Sequence, residues 1–549
     1  MNDLTTSASH VSSQDDLEDY RHLARELEQA IEGEVRFDAG SRALYANDAS
    51  NYRQPPIGVT IPKTVDDVIV IHRLCYAHGV PILSRGAGTS LSGETVNHAV
   101  VMDHSKYLDR IVDIDTANKR VTVQGGAVND QVNQALGKYN LVFPPDPSTH
   151  EWCTIGGNIG NNSCGVHSVQ AQCYGHGPRT CDNIHALDIL TYDGVRMTLR
   201  DGYSEQEIDE IIAAGGRQGE IFLKLKNLRD KYAERIRQCF PQTEHMPRRV
   251  SGYNLDDLLP ERGFNLASAL CGTEGTCMTV LHATLKLTDN AKHRTLMVVG
   301  FNNVEDAGDH VPLIIESGPI ALEAIDKRLF DNEAKQHMHE ETLGKLPEGD
   351  AYLMVEFGGE DSEDTCAQAR RLIGKLKEAS GKIVDYQIVD DEEKAGSIWA
   401  VRKAGLGATA FPPPEQQPHW PGWEDSAVPP DRVGNYVRDL KDLYQKYGYV
   451  GSLYGHFGQG CIHSRINFDL QSKEGVETYR RFAMEAADLV VSYGGSLSGE
   501  HGDGQARGEL LERMYGRAGT DRGVSRVQAH LGPAVEDEPG QGHRSLPAR

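Results

Sequence analysis

Apolar residues recur at helical spacing from Leu17 to Ile31 (LEDYRHLARELEQAI), which predicts an amphipathic helix behind a polar leader at residues 1–12. The period then changes. Residues 57–145 alternate short β runs with helices: strands at Ile57–Pro62, Pro81–Ser84, Ala99–Met102, Arg110–Asp115 and Arg120–Gly125, and helices at Thr64–Ala77 and Val128–Lys138. Thr64 followed by Asp66 and Asp67 marks a helix start, with a hydroxyl cap and acidic residues in the first turn. Between 145 and 183 periodicity disappears and Gly, Asn, Cys, Ser and His crowd together, as expected of backbone shaped around a ligand. Residues 185–199 read as strand–turn–strand. A second α/β region at 290–390 has predicted strands at Thr295–Phe301 and Ala351–Phe357 and helices at Leu322–Leu343 and Thr365–Ala379. A proline-rich loop, 411–430, leads into a helix at Asp431–Tyr447, and no internal repeat is visible.

Composition narrows the classes. The 549 residues are 39% hydrophobic and 25% charged, enough for packed cores in about three or four units. A net charge of −24 sets the chain against phosphate backbones and anionic lipid, so nucleic acid is not an expected partner. No run approaches the about 20 apolar residues of a membrane span, and the polar, acidic N-terminus does not read as a signal peptide. The expectation is a cytoplasmic protein without a transmembrane segment, with peripheral contact at the inner face of the membrane left open. None of the ten cysteines has C-x-x-C spacing, which argues against a zinc ribbon, a thioredoxin motif or a ferredoxin-type cluster in this chain.

Three glycine-containing segments and one proline-rich segment in the first half are candidates for ligand binding. Arg85-Gly86-Ala87-Gly88-Thr89-Ser90 follows a predicted strand and reads either as a backbone nest for a pyrophosphate or as an ordinary turn. It matches neither a P-loop nor a Rossmann fingerprint. Pro145-Asp146-Pro147-Ser148 has its backbone fixed by proline. The Gly156-Gly157 step of Thr154-Ile155-Gly156-Gly157-Asn158 allows close approach of a flat ring or a phosphate, and Cys271-Gly272-Thr273-Glu274-Gly275-Thr276 is a further such element; each is a weak signal alone. Taken in order, RGAGTSLSG, PPDPS, TIGGNIGNN and GTEGT resemble the FAD-binding domain of the vanillyl-alcohol-oxidase type flavoproteins, and the later half resembles their D-lactate and D-2-hydroxyglutarate dehydrogenase branch. The resemblance covers about residues 35–516.

It implies an α+β fold. A two-subdomain PCMH-type FAD-binding domain at 35–289 would follow the N-terminal leader and helix at 1–34, and an α/β cap, the FAD-linked oxidase C-terminal domain, would occupy 290–516. It implies FAD as cofactor, with Arg85–Ser90 around the pyrophosphate. Pro145, Asp146, Ser148, Gly156, Gly157 and Asn158 would lie along the isoalloxazine and ribityl chain, with Thr154 at the head of that segment, and Glu274 and Gly275 near the adenine half.

The second half carries the reactive side chains. His456 and His463 lie seven apart and would face opposite ways on a straight strand, but Gly458 and Gly460 allow the backbone to fold so that both imidazoles converge. Glu500 and His501 follow in SGEHGDG. Two imidazoles and a carboxylate suit a divalent ion such as zinc, although among 22 histidines such a pair also arises by chance. The resemblance makes His456, His463 and Glu500 metal ligands and His501 the base. Gln459 and Cys461 stand where the family often has Asp and Asn, which puts contacts around the ligands in doubt. Arg402 is a candidate clamp for a substrate carboxylate, or else a partner in a surface salt bridge. Glu424-Asp425 resembles the family's acidic element near the flavin, or else is a solvated loop.

The implied reaction is oxidation of a D-2-hydroxy acid, D-lactate first and D-2-hydroxyglutarate second, to the 2-oxo acid. Electrons would leave to a quinone, a cytochrome or an iron–sulfur protein. A metal-dependent hydrolase built on the His-His-Glu set, and an FAD-binding remnant without turnover, are the competing readings. The tail 517–549 departs from the family, which continues as a helix towards a Lys-Met-Asn-Pro-Gly-Lys run. Back-translated and read one base later, Glu536 to Pro547 can encode Lys-Met-Asn-Pro-Gly-Lys-Val-Ile-Asp-Pro-Tyr, so the expectation is an aberrant, disordered tail left by a frameshift near Gly516, with a genuinely divergent, disordered tail as the alternative.

Overall fold

A computed structural model describes residues 20–379, 381–411 and 417–516. The predicted leader, the start of the first predicted helix, part of the proline-rich loop and the tail at 517–549 lie outside the described residues. The fold is α+β, as the sequence predicts, and contains three main sheets.

The first sheet has four strands in the order Glu34–Arg36, Gly58–Ile61, Val100–Asp103, Ile82–Arg85; the first pair is antiparallel and the others parallel. Helix Val65–Ala77 crosses between Gly58–Ile61 and Ile82–Arg85. The predicted threonine cap is present: Asp67 N donates to Thr64 Oγ1 (3.1 Å) and Thr64 N to Asp67 Oδ2 (3.3 Å). Val68, Ile71 and Cys75, on one face of this helix, pack against Val100 and Met102 of the sheet.

The second sheet is antiparallel, in the order Ile111–Asp115, Arg120–Gln124, Thr279–Lys286, Ile184–Leu190, Arg196–Arg200. The stretch without periodicity contributes two short helices, Ile155–Asn161 and Ser168–Cys173. The third sheet has seven antiparallel strands: Ile383–Val389, His293–Phe301, Ala351–Gly359, Ala321–Asp326, Gly451–Gly455, Cys461–Ile466 and Asp425–Ala427. Here one expectation is corrected. Residues 321–326 form a buried strand, and only Lys327–Lys335 and Glu340–Leu343 of the predicted helix are helical. Among the described residues, no helix is long and apolar enough to cross a membrane.

Candidate active site

A cleft opens where the end of strand Ile82–Arg85 meets the second sheet and helix Ile155–Asn161. Of the residues predicted to bind a cofactor, Arg85, Gly86, Thr154, Gly156, Gly157, Glu274 and Gly275 line it. Ala87, Gly88, Thr89 and Ser90 continue the loop beyond the lining, with Gly88 at φ +69°, a left-handed conformation that glycine adopts without strain. The backbone N–H groups of residues 86–90 donate to no acceptor among the described residues, which leaves a row of donors for an anion. The Arg85 guanidinium binds three carbonyls, Thr95 O (2.9 Å), Asn47 O (2.9 Å) and Tyr45 O (3.3 Å), and so clips the loop to its neighbours. Backbones meet closely on the other wall, where a Cβ on Gly156 would lie 2.7 Å from Gly125 O.

The remaining predicted residues stand outside the lining. Pro145 O accepts from Asn129 Nδ2 (2.8 Å), Ser148 is exposed, and Asn158 is buried with its amide nitrogen unpartnered. Asp146 accepts from His167 N (2.7 Å) and pairs with His167 Nδ1; His167 Nε2 reaches Glu356 of the third sheet at 3.2 Å. Burial alone would lower the His167 pKa, but Asp146 and Glu356 outweigh it and raise it to about 9. The histidine thus joins the PDPS segment to the cap sheet as an ion-paired bridge.

The second centre is a folded-back hairpin. Strand Gly451–Gly455 ends at His456, a short turn follows, and strand Cys461–Ile466 returns with His463 paired to Tyr454. Gly460 takes φ +76° at the turn, as the glycine spacing predicts. His456 Nε2 and His463 Nε2 lie 2.9 Å and 3.0 Å from the same oxygen of Glu500, Oε2. The other nitrogens are held from behind: His456 Nδ1 pairs with Glu323, and His463 Nδ1 lies 3.0 Å from Glu424 O. Both imidazoles therefore present Nε2 inward, as metal-bound histidines are oriented. Glu500 Oε1 is buried without a partner. Desolvation raises the Glu500 pKa, but the two imidazoles more than offset it and hold the carboxyl well below its usual range.

Glu323 joins this cluster to Arg402. It is fully buried and accepts from Arg402 Nε (2.9 Å), with Arg402 Nη2 at 2.8 Å. Arg402 is buried, so its ion pair with Glu323 is an interior one and not the surface salt bridge that the sequence offers as its alternative. Glu424 and Asp425 are fully buried rather than solvated, each 2.7 Å from Arg507 Nη2. Asp425 Oδ2 also accepts from Ser498 Oγ (2.6 Å), Glu500 N (3.0 Å) and His501 N (2.8 Å), which fixes the SGEHG segment. His501 Nδ1 lies 3.3 Å from Glu424 Oε1; burial lowers its pKa, but Asp425 and Glu424 raise it above the usual value. Gln459, one of the departures from the family, accepts from Arg248 Nε (2.8 Å) and donates to Gln172 Oε1 (3.2 Å). Cys461, the other, places its thiol 3.7 Å from Asp425 O.

The cleft and the histidine cluster are neighbours. Asn161, at the cleft wall, donates to His501 O (2.8 Å), and Glu274 accepts from Asp503 N (2.8 Å) and Gly504 N. Asn161 lies within the TIGGNIGNN segment, whereas Glu323, Arg248 and Arg507 carry no local motif. The one sequence signal among these three is the charge at position 323, set in the otherwise apolar run Ile320–Ile325.

Comparison with known proteins gives a consistent result. A model described as FAD binding domain matches residues 56–200, and one described as FAD linked oxidases, C-terminal domain, matches residues 290–534. The chain is 28% identical over 506 residues to a D-2-hydroxyglutarate dehydrogenase of Haemophilus influenzae, covering 89% of this chain and 48% of that protein. It is 26% identical over 502 residues to glycolate oxidase subunit GlcD of Bacillus subtilis, covering 89% and 90%. The chain spans about half the length of the D-2-hydroxyglutarate dehydrogenases it matches. Among solved structures, 4-ethylphenol oxidase from Gulosibacter chungangensis superposes with a TM-score of 0.63 at 13% identity, covering 95% of this chain and 97% of that one. p-Cresol methylhydroxylase gives 0.61 at 12%, covering 95% and 98%. These two show the fold, a PCMH-type FAD-binding domain followed by the oxidase C-terminal domain.

Proposed function

We propose that this chain, which belongs to the FAD-linked oxidases through both of its domains, oxidises a D-2-hydroxy acid to the 2-oxo acid with FAD and a divalent cation. The observation that carries the reading is the convergence of two inward Nε2 atoms on Glu500, whose second oxygen is orphaned, beside a cleft walled by close-packed glycine backbone.

The residues present fit both groups. The free N–H row of residues 86–90 and the glycine wall suit a dinucleotide that needs backbone donors and close approach. His456, His463 and Glu500 are the donor set for a borderline cation such as zinc, with their outer nitrogens already fixed. FAD supplies a hydride acceptor when bound, and the cation supplies Lewis-acid polarisation of a substrate oxygen.

The chain's own groups do the rest. His501 holds Nδ1 towards Glu424, which leaves Nε2 as the nitrogen that takes the substrate hydroxyl proton. The buried carboxylates Glu424 and Asp425 favour the imidazolium so formed. Asp425 fixes the backbone of Glu500 and His501, so that ligand and base keep one spacing. Arg402 neutralises Glu323 and, through it, orients His456. The D configuration and the two candidate substrates, D-lactate and D-2-hydroxyglutarate, are supported by the family resemblance, and D-2-hydroxyglutarate also by the names of relatives. The test is anaerobic: D-2-hydroxyglutarate and D-lactate, each against its L enantiomer, are added to the flavin-loaded protein. Bleaching of the flavin band by a D acid alone is expected; no bleaching by any hydroxy acid overturns the proposal.

A further inference from the structure

Arg248 sits in the loop after helix Gly216–Cys239 and has no assigned role in the chemistry above. Its side chain is fully buried. Two of its three nitrogens are committed: Nε donates to Gln459 Oε1 (2.8 Å) and Nη2 to Gly165 O. The third, Nη1, has no hydrogen-bond partner, and lies 3.8 Å from Glu500 Oε2. A buried guanidinium N–H without an acceptor is costly unless an occupant arrives. The same interior holds a second orphan, Glu500 Oε1.

The charges around the cluster point to the nature of that occupant. Arg402 is neutralised by Glu323, and Arg248 stands against Glu500 without touching it at hydrogen-bond distance. With neutral imidazoles, these four groups cancel. A divalent cation at His456, His463 and Glu500 then leaves two positive charges, which match a carboxylate together with a hydroxyl that gives up its proton. We propose that Arg248 Nη1 receives a carboxylate oxygen of the substrate, so that the site selects anions able to present oxygens to the cation and the guanidinium at once. This rests on the function proposed above and names the group that recognises its substrate. Gln459 acquires a purpose in the same stroke: it accepts from Nε and holds the guanidinium in the orientation that leaves Nη1 free.

The test uses the full chain loaded with FAD and zinc, and oxalate as a redox-inert probe. Oxalate binding is measured by equilibrium dialysis, and flavin and zinc content are measured alongside. R248M is expected to bind oxalate about 10- to 100-fold more weakly at unchanged flavin and zinc content. KM for the reducing hydroxy acid should rise by a similar factor while kcat changes less, and methylguanidine should restore part of the loss. R248K keeps the charge but lacks the fork that reaches Gly165 O and the site together, so at least about fivefold weaker binding is expected there. Oxalate binding within twofold of wild type in either folded variant overturns the proposal. So does a loss that saturating zinc fully reverses, because Arg248 would then serve only Glu500. Dialysis needs no turnover, so a wild-type protein that no hydroxy acid reduces counts against the reaction, and the oxalate result stands apart from it.

Discussion

Replacing Glu323 by Gln tests the electrostatic frame of the cluster. Glu323 is fully buried, binds Arg402 through Nε and Nη2, and accepts from His456 Nδ1. The amide keeps the shape but removes the charge, leaving a guanidinium in the interior without its counter-ion. Breaking a buried pair in this way costs about 3–5 kcal/mol. A second route gives the same size. Burial raises the Glu323 pKa, but His456 and Arg402 outweigh it and bring it from 4.5 to about 2, which corresponds to about 3 kcal/mol. Because the folded value is depressed, this contribution is complete above pH about 4.5 and fades as the pH falls towards 2. Urea unfolding followed by tryptophan fluorescence suits the measurement, since Trp399, Trp420 and Trp423 lie in the cap domain and Trp152 is the fourth. We expect a midpoint shift equivalent to about 3 kcal/mol, and zinc affinity weakened about 10- to 100-fold through the loosened His456. A shift below about 1 kcal/mol with unchanged zinc affinity refutes the reasoning.

Three further outcomes follow from particular contacts. His167 has a raised folded pKa of about 9, so its contribution is full below pH about 6.5 and is lost as the pH rises through 9; wild-type melting temperature should fall across that window, and H167Q should abolish the slope. Gly156→Ala forces a Cβ against Gly125 O; it should cost about 1–3 kcal/mol and lower the flavin recovered per polypeptide, measured by absorbance. H501Q should slow flavin reduction about 10²- to 10⁴-fold in stopped flow while leaving flavin and zinc content intact.

What the chain discloses in its residue order follows the range of the interactions. The Thr64 cap, the strands around it and the Gly460 turn rest on neighbours in sequence, and each is where local pattern predicts. The strand at Ala321–Asp326 reads as the start of a helix because it is buried on both faces, and a continuous apolar run has no period of two to reveal it. No pattern-based assignment covers residues 205–239, where the structure has helices Glu205–Ala214 and Gly216–Cys239. His456, His463, Glu500 and His501 stand out by residue type and spacing, and the structure brings them together. Glu323 lies 133 residues from His456, and Arg248 lies 211 from Gln459. Glu323 meets His456 only when strands Ala321–Asp326 and Gly451–Gly455 pair within the cap sheet, and Arg248 meets Gln459 only when the first domain packs on the cap, so no window along the chain contains either contact.

The central claim is that glycine-rich backbone holds a flavin beside a cation bound by His456, His463 and Glu500. Crystals of the flavin- and zinc-loaded protein, with diffraction recorded on both sides of the zinc absorption edge, test it most directly. The account predicts one anomalous peak bonded to both Nε2 atoms and to Glu500, with isoalloxazine density next to it and His501 at hand. Anomalous signal elsewhere, or a flavin lodged away from these three side chains, contradicts it.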